Sequence, residues 1–170
     1  MSNCPSFPPG IESTVCHWFK NDPKHPPEIL HKDPRFVAIA EWITEHAKIY
    51  WQEIGYSARY EPEIEKSWIQ RYHGQCHGLH VHNHPGMPLS ASFYFDGSPE
   101  QGNFVVEDPL DLLLSQVPYL PQGRNFRMKQ IPIKTGQLII IPGYLRHSVL
   151  PNTTDRTRYT WNMDFLAKQI

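Results

Sequence analysis

The stretch KTGQLIIIPGYLRHSVLPN, residues 134–152, decides the fold class of this chain. Its apolar run at 137–141 predicts a buried strand, Pro-Gly predicts a tight turn, and a second strand is expected at 148–150. Short runs of the same kind, bounded by Pro, Gly, Asn or Asp, predict six further strands, at residues 67–72, 79–82, 89–95, 103–107, 126–133 and 158–165. No helix of credible length lies between them, so the pattern predicts a mainly β fold, either a β-sandwich or a barrel-like jelly roll.

The rest of the chain is expected to form one domain with this core. A chain of 170 residues is long enough to bury roughly 70% of its unfolded surface. We therefore predict a single domain over residues 1–170, with the jelly-roll core at 57–166. Residues 1–32 are rich in proline, show no clean period and predict an irregular N-terminal arm.

Residues 33–55 carry the clearest helical signal. Apolar residues recur there at steps of three and four positions. Asp33 is expected as the N-cap, Pro34 as the first helical residue, and Gly55 as the residue that ends the helix. We predict that this helix packs outside the jelly roll.

Composition excludes several classes of protein. The net charge is -1, whereas nucleic-acid binding needs clustered positive charge, so no nucleic-acid partner is expected. No apolar run approaches the roughly 18 residues of a membrane span, and the N-terminus does not resemble a signal peptide. Three scattered cysteines fit a reducing compartment better than a disulfide framework, which predicts a cytoplasmic protein.

A cluster of histidines predicts half of a metal site. The segment HGQCHGLHVHNHPG, residues 73–86, holds five of the ten histidines. Strand alternation places His80, His82 and His84 on one face, and neutral imidazole suits Fe(II), Ni, Cu and Zn. The further ligand is expected from His147, which follows the Pro-Gly turn and starts the next strand.

The last predicted strand has one apolar and one polar face. Apolar and polar residues alternate along it. One face carries Tyr159, Trp161, Met163 and Phe165, and the other carries Arg158, Thr160, Asn162 and Asp164. In a jelly roll such a face can line a polar cavity, where an arginine grips a carboxylate with its planar fork.

Four segments in order resemble the small 2-oxoglutarate- and Fe(II)-dependent oxygenases of bacteria and phages. They are HNHPGMPLSASFYF, GNFVVEDP, KTGQLIIIPGYLRHSVLPN and TRYTWNMDF, and the match around them covers roughly residues 67–166. The resemblance implies a double-stranded β-helix and an enzyme that uses Fe(II), 2-oxoglutarate and O2. Such an enzyme releases succinate and CO2 while it oxidises a C–H bond of a small molecule or side chain.

The resemblance also implies metal ligands, with one departure from the common pattern. His147 matches the distal iron-ligand histidine and His82 the proximal one. The common triad has a carboxylate two residues after the proximal histidine, and this chain has His84 there. Three neutral imidazoles leave the iron one unit more positive than two imidazoles and a carboxylate. We favour His84 as the third ligand.

Two other ligand sets stay open at this point. A carboxylate from outside the motif could complete the triad, with Asp108 the best candidate and Glu107 a weaker one. Alternatively, the histidine pair is shifted, and His80 with His82 supplies the ligands.

The co-substrate residues follow from the same resemblance. Arg158 matches the arginine that pairs with the far carboxylate of 2-oxoglutarate, and Thr160 stands where the family often has a serine. Arg156 is a rival, because the loop before the last strand varies in length. Tyr94, on the polar face of its strand, is expected to contact the co-substrate or substrate.

Two further functions compete for these residues. The spacing from Gly136 to His147 is close to the second signature of cupins, some of which are three-histidine dioxygenases without a co-substrate. The Glu of the first cupin signature is missing after His84. A non-catalytic jelly-roll binding protein is the other alternative.

The segment 110–124 is long for a connection and is expected to lie over the barrel mouth or on the surface.

Overall fold

The computed structural model describes residues 29–72, 78–110 and 128–170 of the chain. A short 3-10 helix, Leu30–Lys32, precedes helix α1, Val37–Glu53. Eight strands follow, together with a second 3-10 turn at Pro99–Gln101: β1 Tyr60–Tyr72, β2 Leu79–His82, β3 Leu89–Tyr94, β4 Phe104–Glu107, β5 Met128–Ile131, β6 Leu138–Pro142, β7 His147–Val149 and β8 Arg158–Gln169.

The eight strands form two antiparallel four-stranded sheets. One sheet has the order β1-β8-β3-β6 and the other β2-β7-β4-β5. Successive strands pass repeatedly from one sheet to the other, which is the winding of a jelly roll. The predicted double-stranded β-helix is therefore confirmed.

The first and last strands are longer than the sequence pattern predicts. β1 begins at Tyr60 rather than residue 67, and β8 continues to Gln169 rather than residue 165. The two strands pair from Tyr60 opposite Gln169 to Tyr72 opposite Arg158, with a register shift between Ile64 and Lys66. The sequence pattern predicts loop at the charged outer ends of these two strands. Cross-strand pairing still holds them, including an ion pair between Lys168 and Glu63 at 2.7 Å.

The start of the predicted helix is wrong and its end is confirmed. The Asp33 carboxylate accepts a hydrogen bond from the backbone N–H of Arg35, and its carbonyl accepts one from Phe36. Asp33 therefore begins a separate turn that includes Pro34, and α1 starts only at Val37. At the other end Gly55 has a φ of +79°, the left-handed conformation that ends many helices and favours glycine.

Two hydrophobic clusters lie on the two sides of the first sheet. Helix α1 buries Ala40, Ile43, Ala47 and Trp51 against the outward side chains of β3 and β8. The second cluster fills the space between the sheets and includes Tyr72, Tyr94 and Phe104. The predicted alternation of the last strand is confirmed for Trp161, Met163 and Phe165, which belong to the cluster under the helix. Tyr159, expected on the same face, is 38% exposed and lies outside that cluster. Arg158, Thr160, Asn162 and Asp164 are buried on the opposite face.

Several sequence predictions fall largely outside the described residues. Residues 1–28 of the expected arm and residues 111–127, which include most of the segment expected near the barrel mouth, are among them. Leu30, at the end of the expected arm, is buried in the cluster under α1. Within the described residues, no helix has the length and apolar character needed to cross a membrane. The single-domain organisation stays a prediction.

Candidate metal centre

Three of the predicted histidines meet at one end of the barrel. His82 ends β2 and lies opposite His147, the first residue of β7, in the strand register. His84 follows two residues after β2. One ring nitrogen from each of His82, His84 and His147 lies within 4.8 Å of the others. Among the described residues this is the one group of three side chains with metal-ligand spacing.

Backbone contacts between two turns fix the position of His84. Its N–H donates to the carbonyl of Gly143 at 2.8 Å, and the Met87 N–H donates to the His84 carbonyl at 3.1 Å. The two turns approach so closely that a Cβ on Gly143 would lie 1.8 Å from the Met87 carbonyl oxygen. A glycine at 143 is therefore required where the Pro-Gly turn meets the histidine segment.

We expect the Gly143→Ala variant to weaken metal binding as well as stability. The methyl group must displace the Met87 backbone and with it the loop that carries His84. A matched control is Gly136→Ala, since Gly136 has a φ of +76° and open space around its Cβ position. The free energy of unfolding of the control should fall only by the strain of a left-handed alanine, about 1–2 kcal/mol, and its metal affinity should be unchanged. Urea denaturation and Co(II) titration of both variants measure the two effects, and equal metal affinities would contradict this packing argument.

Backbone carbonyls hold two of the cluster histidines through Nδ1, which leaves Nε2 as the available ligand atom. The Nδ1 atom of His82 lies 2.8 Å from the His80 carbonyl oxygen, and Nδ1 of His147 lies 2.9 Å from the Leu145 carbonyl oxygen. Since a carbonyl only accepts, Nδ1 carries the proton in both rings and Nε2 keeps its lone pair. The Nε2 atoms of His84 and His147 are 3.4 Å apart. Lone pairs that converge in this way suit a shared cation.

The third ring is held by a carboxylate instead of a carbonyl. Nδ1 of His84 lies 3.0 Å from Oδ1 of Asp164, a residue of β8 with a side chain only 1% exposed. Lys66 reaches the other carboxylate oxygen at 3.3 Å. Burial by itself raises the pKa of Asp164, but the contacts with His84, Ser90 and Lys66 outweigh it and hold that pKa below its ordinary value.

Burial keeps two of the imidazoles neutral. Desolvation lowers the pKa of His147 to about 4, although its hydrogen bond to the Leu145 carbonyl acts in the opposite direction. Desolvation also lowers the pKa of His82. A metal ligand must be deprotonated, so the fold supplies these rings in the form that a cation needs.

The metal-free protein should lose stability as the pH falls from about 6.5 to 4. In the unfolded chain His147 takes up a proton near pH 6.5, whereas in the folded protein it does so only near pH 4. The unfolded state therefore binds more protons in this window, and His147 alone accounts for about 3 kcal/mol. Urea denaturation of chelator-treated protein at pH 7.5 and 4.5 measures the loss. A His147→Gln variant should show a smaller loss, and an equal loss would contradict the assignment to His147.

The carboxylates proposed as alternative ligands lie elsewhere. Asp108 accepts a hydrogen bond from the backbone N–H of Leu110 at 2.8 Å, and Glu107 forms an ion pair with Arg146 at 3.0 Å. Neither belongs to the histidine cluster, and the exposed side chain of His80 does not belong to it either. The geometry therefore favours His84 over Asp108, Glu107 and the shifted pair.

A pocket extends from the histidines into the barrel. It contains about 350 Å³ of space between protein atoms, part of it open to solvent. Tyr94 and Thr160, both predicted to contact the co-substrate, line it together with Ser92 and Asn162. Polar groups on its wall are linked, since Ser92 donates to Asn162 at 2.8 Å and Asn162 donates to Gln70 at 3.0 Å.

Arg158 lies behind this pocket, and part of its guanidinium makes no hydrogen bond to the described residues. The side chain is fully buried, and Nη1 donates to the carbonyls of Gln101 and Gly102 at 2.6 and 2.7 Å. Its Cζ atom lies 4.1 Å from the ring centroid of Tyr72 and 5.8 Å from that of Tyr94, and both rings line the pocket. Among the described residues, Nε and Nη2 have no hydrogen-bond partner. A buried cation with two free donors fits an anionic ligand.

Arg156, the alternative to Arg158, forms its ion pair at the protein surface. Arg156 is 68% exposed and forms an ion pair with Asp96 at 3.1 Å. The geometry therefore favours Arg158 as the residue available to a carboxylate inside the barrel.

Two parts of the site were not predicted from the sequence. Asp164 was placed on the polar face of the last strand, but the alternation does not tell which histidine it meets. The link between Gln70 and Asn162 joins β1 to β8 across 92 residues of sequence. No local pattern signals such a pairing.

Comparison with known proteins places the chain in a family. Residues 66–164, more than half of the chain, match the sequence profile of the 2OG-Fe(II) oxygenases. The chain belongs to this family. The resemblance inferred from the four sequence segments is thereby confirmed, and Fe(II) and 2-oxoglutarate are the cofactors after which the family is named. No curated protein matches the sequence.

Solved structures share the fold of this chain. An oxidoreductase of the 2OG-Fe(II) oxygenase family from Burkholderia pseudomallei is 17% identical, with a TM-score of 0.54 over 78% of this chain and 56% of its own. The epimerase SnoN in complex with Fe3+, alpha ketoglutarate and nogalamycin RO is 16% identical, with a TM-score of 0.56 over 78% of this chain and 57% of its own. AviO1 from Streptomyces viridochromogenes is 12% identical, with a TM-score of 0.54 over 82% of this chain and 65% of its own. The chain thus spans little more than half the length of the first two structures.

Proposed function

We propose that this oxygenase holds Fe(II) through Nε2 of His82, His84 and His147 and oxidises a small molecule with 2-oxoglutarate and O2. One observation carries the proposal: a buried arginine with two unused donors lies in the barrel whose mouth holds three converging imidazoles. Imidazole nitrogens suit Fe(II), and the convergent lone pairs give the cation a site.

His82, His84 and His147 would hold the iron, which with 2-oxoglutarate and O2 would supply oxidation of an unactivated C–H bond, with succinate and CO2 as co-products. The chain supplies binding, orientation and exclusion of water. Apolar side chains of Leu79, Phe104 and Val149 line the pocket beside the histidines. The Phe104 ring stacks on His147 with a centroid distance of 5.3 Å, so it limits the motion of that ligand.

Arg158 is proposed to bind the far carboxylate of 2-oxoglutarate through Nε and Nη2. The other donor, Nη1, already anchors the guanidinium to two backbone carbonyls, which fixes its orientation. Tyr94 and Thr160 lie opposite each other in the β3–β8 register and line the wall of the pocket beside it. Burial lowers the pKa of Arg158, but its ordinary value is so high that it remains a cation.

The buried arginine also separates this function from a cupin dioxygenase without a co-substrate, because such an enzyme has no need for a cation deep in the barrel. A small-molecule substrate is proposed by analogy with the SnoN structure, which holds nogalamycin RO. We propose that the protein acts in the cytoplasm without a nucleic-acid partner, as its near-neutral charge and scattered cysteines indicate.

Succinate release tests the activity without knowledge of the substrate. We expect slow formation of succinate from 2-oxoglutarate that requires both Fe(II) and O2 and stops when His82 is replaced by Ala. Stoichiometric iron binding without any succinate, with or without candidate substrates, would favour the cupin alternative.

A further inference from the structure

Asp164 stands behind the histidine that replaces the usual carboxylate ligand. Its carboxylate lies 3.0 Å from Nδ1 of His84, on the side of the ring away from the cluster formed by Nε2. The other two cluster histidines hydrogen-bond through Nδ1 to neutral backbone carbonyls, whereas His84 faces Asp164 in a close charge contact, since neither Asp164 oxygen has a hydrogen-bond partner among the described residues. His84 is therefore the member of the cluster that meets a negative charge.

We propose that Asp164 is a positioning residue of the metal centre: it orients His84 for metal binding and supplies, through the imidazole, the negative charge that a carboxylate ligand would bring. This inference rests on the proposed function. Nothing in it requires Asp164 to touch the metal or the substrate.

The physical basis is the coupling between a metal ligand and the acceptor behind it. A carboxylate that faces Nδ1 favours the tautomer with the proton on that atom and makes Nε2 a better donor to the metal. With three neutral imidazoles the cation keeps its full charge, so a buried anion nearby also stabilises it through space. The second oxygen of Asp164 contacts Lys66, which is 37% exposed and reaches it from the solvent side.

Asp164 could instead serve only to bind Lys66 and stabilise the sheet. The two roles differ in what removal of Lys66 does. If Asp164 acts through His84, the loss of Lys66 leaves the contact at Nδ1 intact. If the Asp164–Lys66 ion pair itself is responsible, substitution of Lys66 should weaken metal binding as much as substitution of Asp164.

Co(II) titration of the full chain tests the proposal, because the visible spectrum of Co(II) reports its ligand geometry. We expect Asp164→Ala to weaken Co(II) binding about 10- to 100-fold, the usual loss when such an outer acceptor is removed, and to change the spectrum. Asp164→Asn keeps the shape and an acceptor oxygen without the charge, so it should fall between Asp164→Ala and the wild type. Lys66→Met is the matched control and should bind Co(II) within about threefold of the wild type, with an unchanged spectrum.

A double substitution separates positioning from general stability. In a His84→Ala background, the additional Asp164→Ala change should have little further effect on Co(II) affinity, since the two residues act as a unit. Wild-type affinity and spectrum in both Asp164 variants, or the same loss in the presence and absence of His84, would overturn the proposal. Failure of the wild type to bind Co(II), or binding unaffected by His147→Ala, would overturn the proposed function itself, so the two failures are distinguishable.

Discussion

The His147→Ala variant is expected to lose essentially all Fe(II) binding and all turnover while it keeps the fold. His147 supplies one of three converging Nε2 atoms, and two histidines on a strand end and a loop leave the cation without an enclosing site. We expect Fe(II) affinity to fall by more than about 100-fold, because removal of a ligand should weaken binding more than removal of the acceptor behind a ligand. Equilibrium dialysis with Fe(II) under anaerobic conditions measures it.

The fold should survive because of where the residue lies. His147 is the first residue of a three-residue strand, and its ring packs on Phe104 and on His82, another residue of the histidine cluster. His80→Ala is the matched control: it removes an exposed histidine of the neighbouring strand and should leave the affinity unchanged. Stoichiometric iron and normal turnover in His147→Ala, or loss of iron in the control, would show that the ligand set is misassigned.

The Arg158→Leu variant should bind 2-oxoglutarate several hundred-fold more weakly and still bind Fe(II). Deletion of one partner of a buried, hydrogen-bonded charge pair costs about 3–5 kcal/mol, because the other charge is left unpaired. Leu fills part of the space of the arginine stem without a charge. The apparent KM for 2-oxoglutarate in succinate release and the Fe(II) affinity measure the two properties separately.

The matched control for this prediction is Arg156→Leu. Arg156 is two residues away, carries the same charge and pairs with Asp96 on the surface. Its loss should change the apparent KM for 2-oxoglutarate by less than about threefold, the scale of an exposed ion pair. The reverse result, a large effect at Arg156 and none at Arg158, would shift the co-substrate site by two residues along the chain.

Alternation along a strand carried most of the sequence-based prediction. The period-two pattern of residues 158–165 correctly separates the side chains under the helix from those inside the barrel. Eight short runs between turn residues predict the strands of both sheets. These features are local, so they can be derived from the chain without knowledge of its partners.

The parts that were missed depend on contacts between distant segments. The charged residues at 60–66 join a strand only because β8 pairs with them. The choice between His84 and Asp108 depends on the hydrogen bond from His84 to Gly143, and the role of Asp164 depends on the approach of His84 to β8. Spacing in the sequence brings His84 into consideration but does not decide where its ring points.

Anaerobic titration of the Fe(II)-loaded protein with 2-oxoglutarate tests the central claim most directly. Chelation of the iron by 2-oxoglutarate gives a weak visible charge-transfer band, which neither component produces alone. We expect the band to appear, to saturate at one iron per chain, to require far more 2-oxoglutarate in Arg158→Leu and to be absent in His147→Ala. A protein that binds one Fe(II) at the histidines but gives no band at any 2-oxoglutarate concentration would contradict the account and favour a dioxygenase that works without the co-substrate.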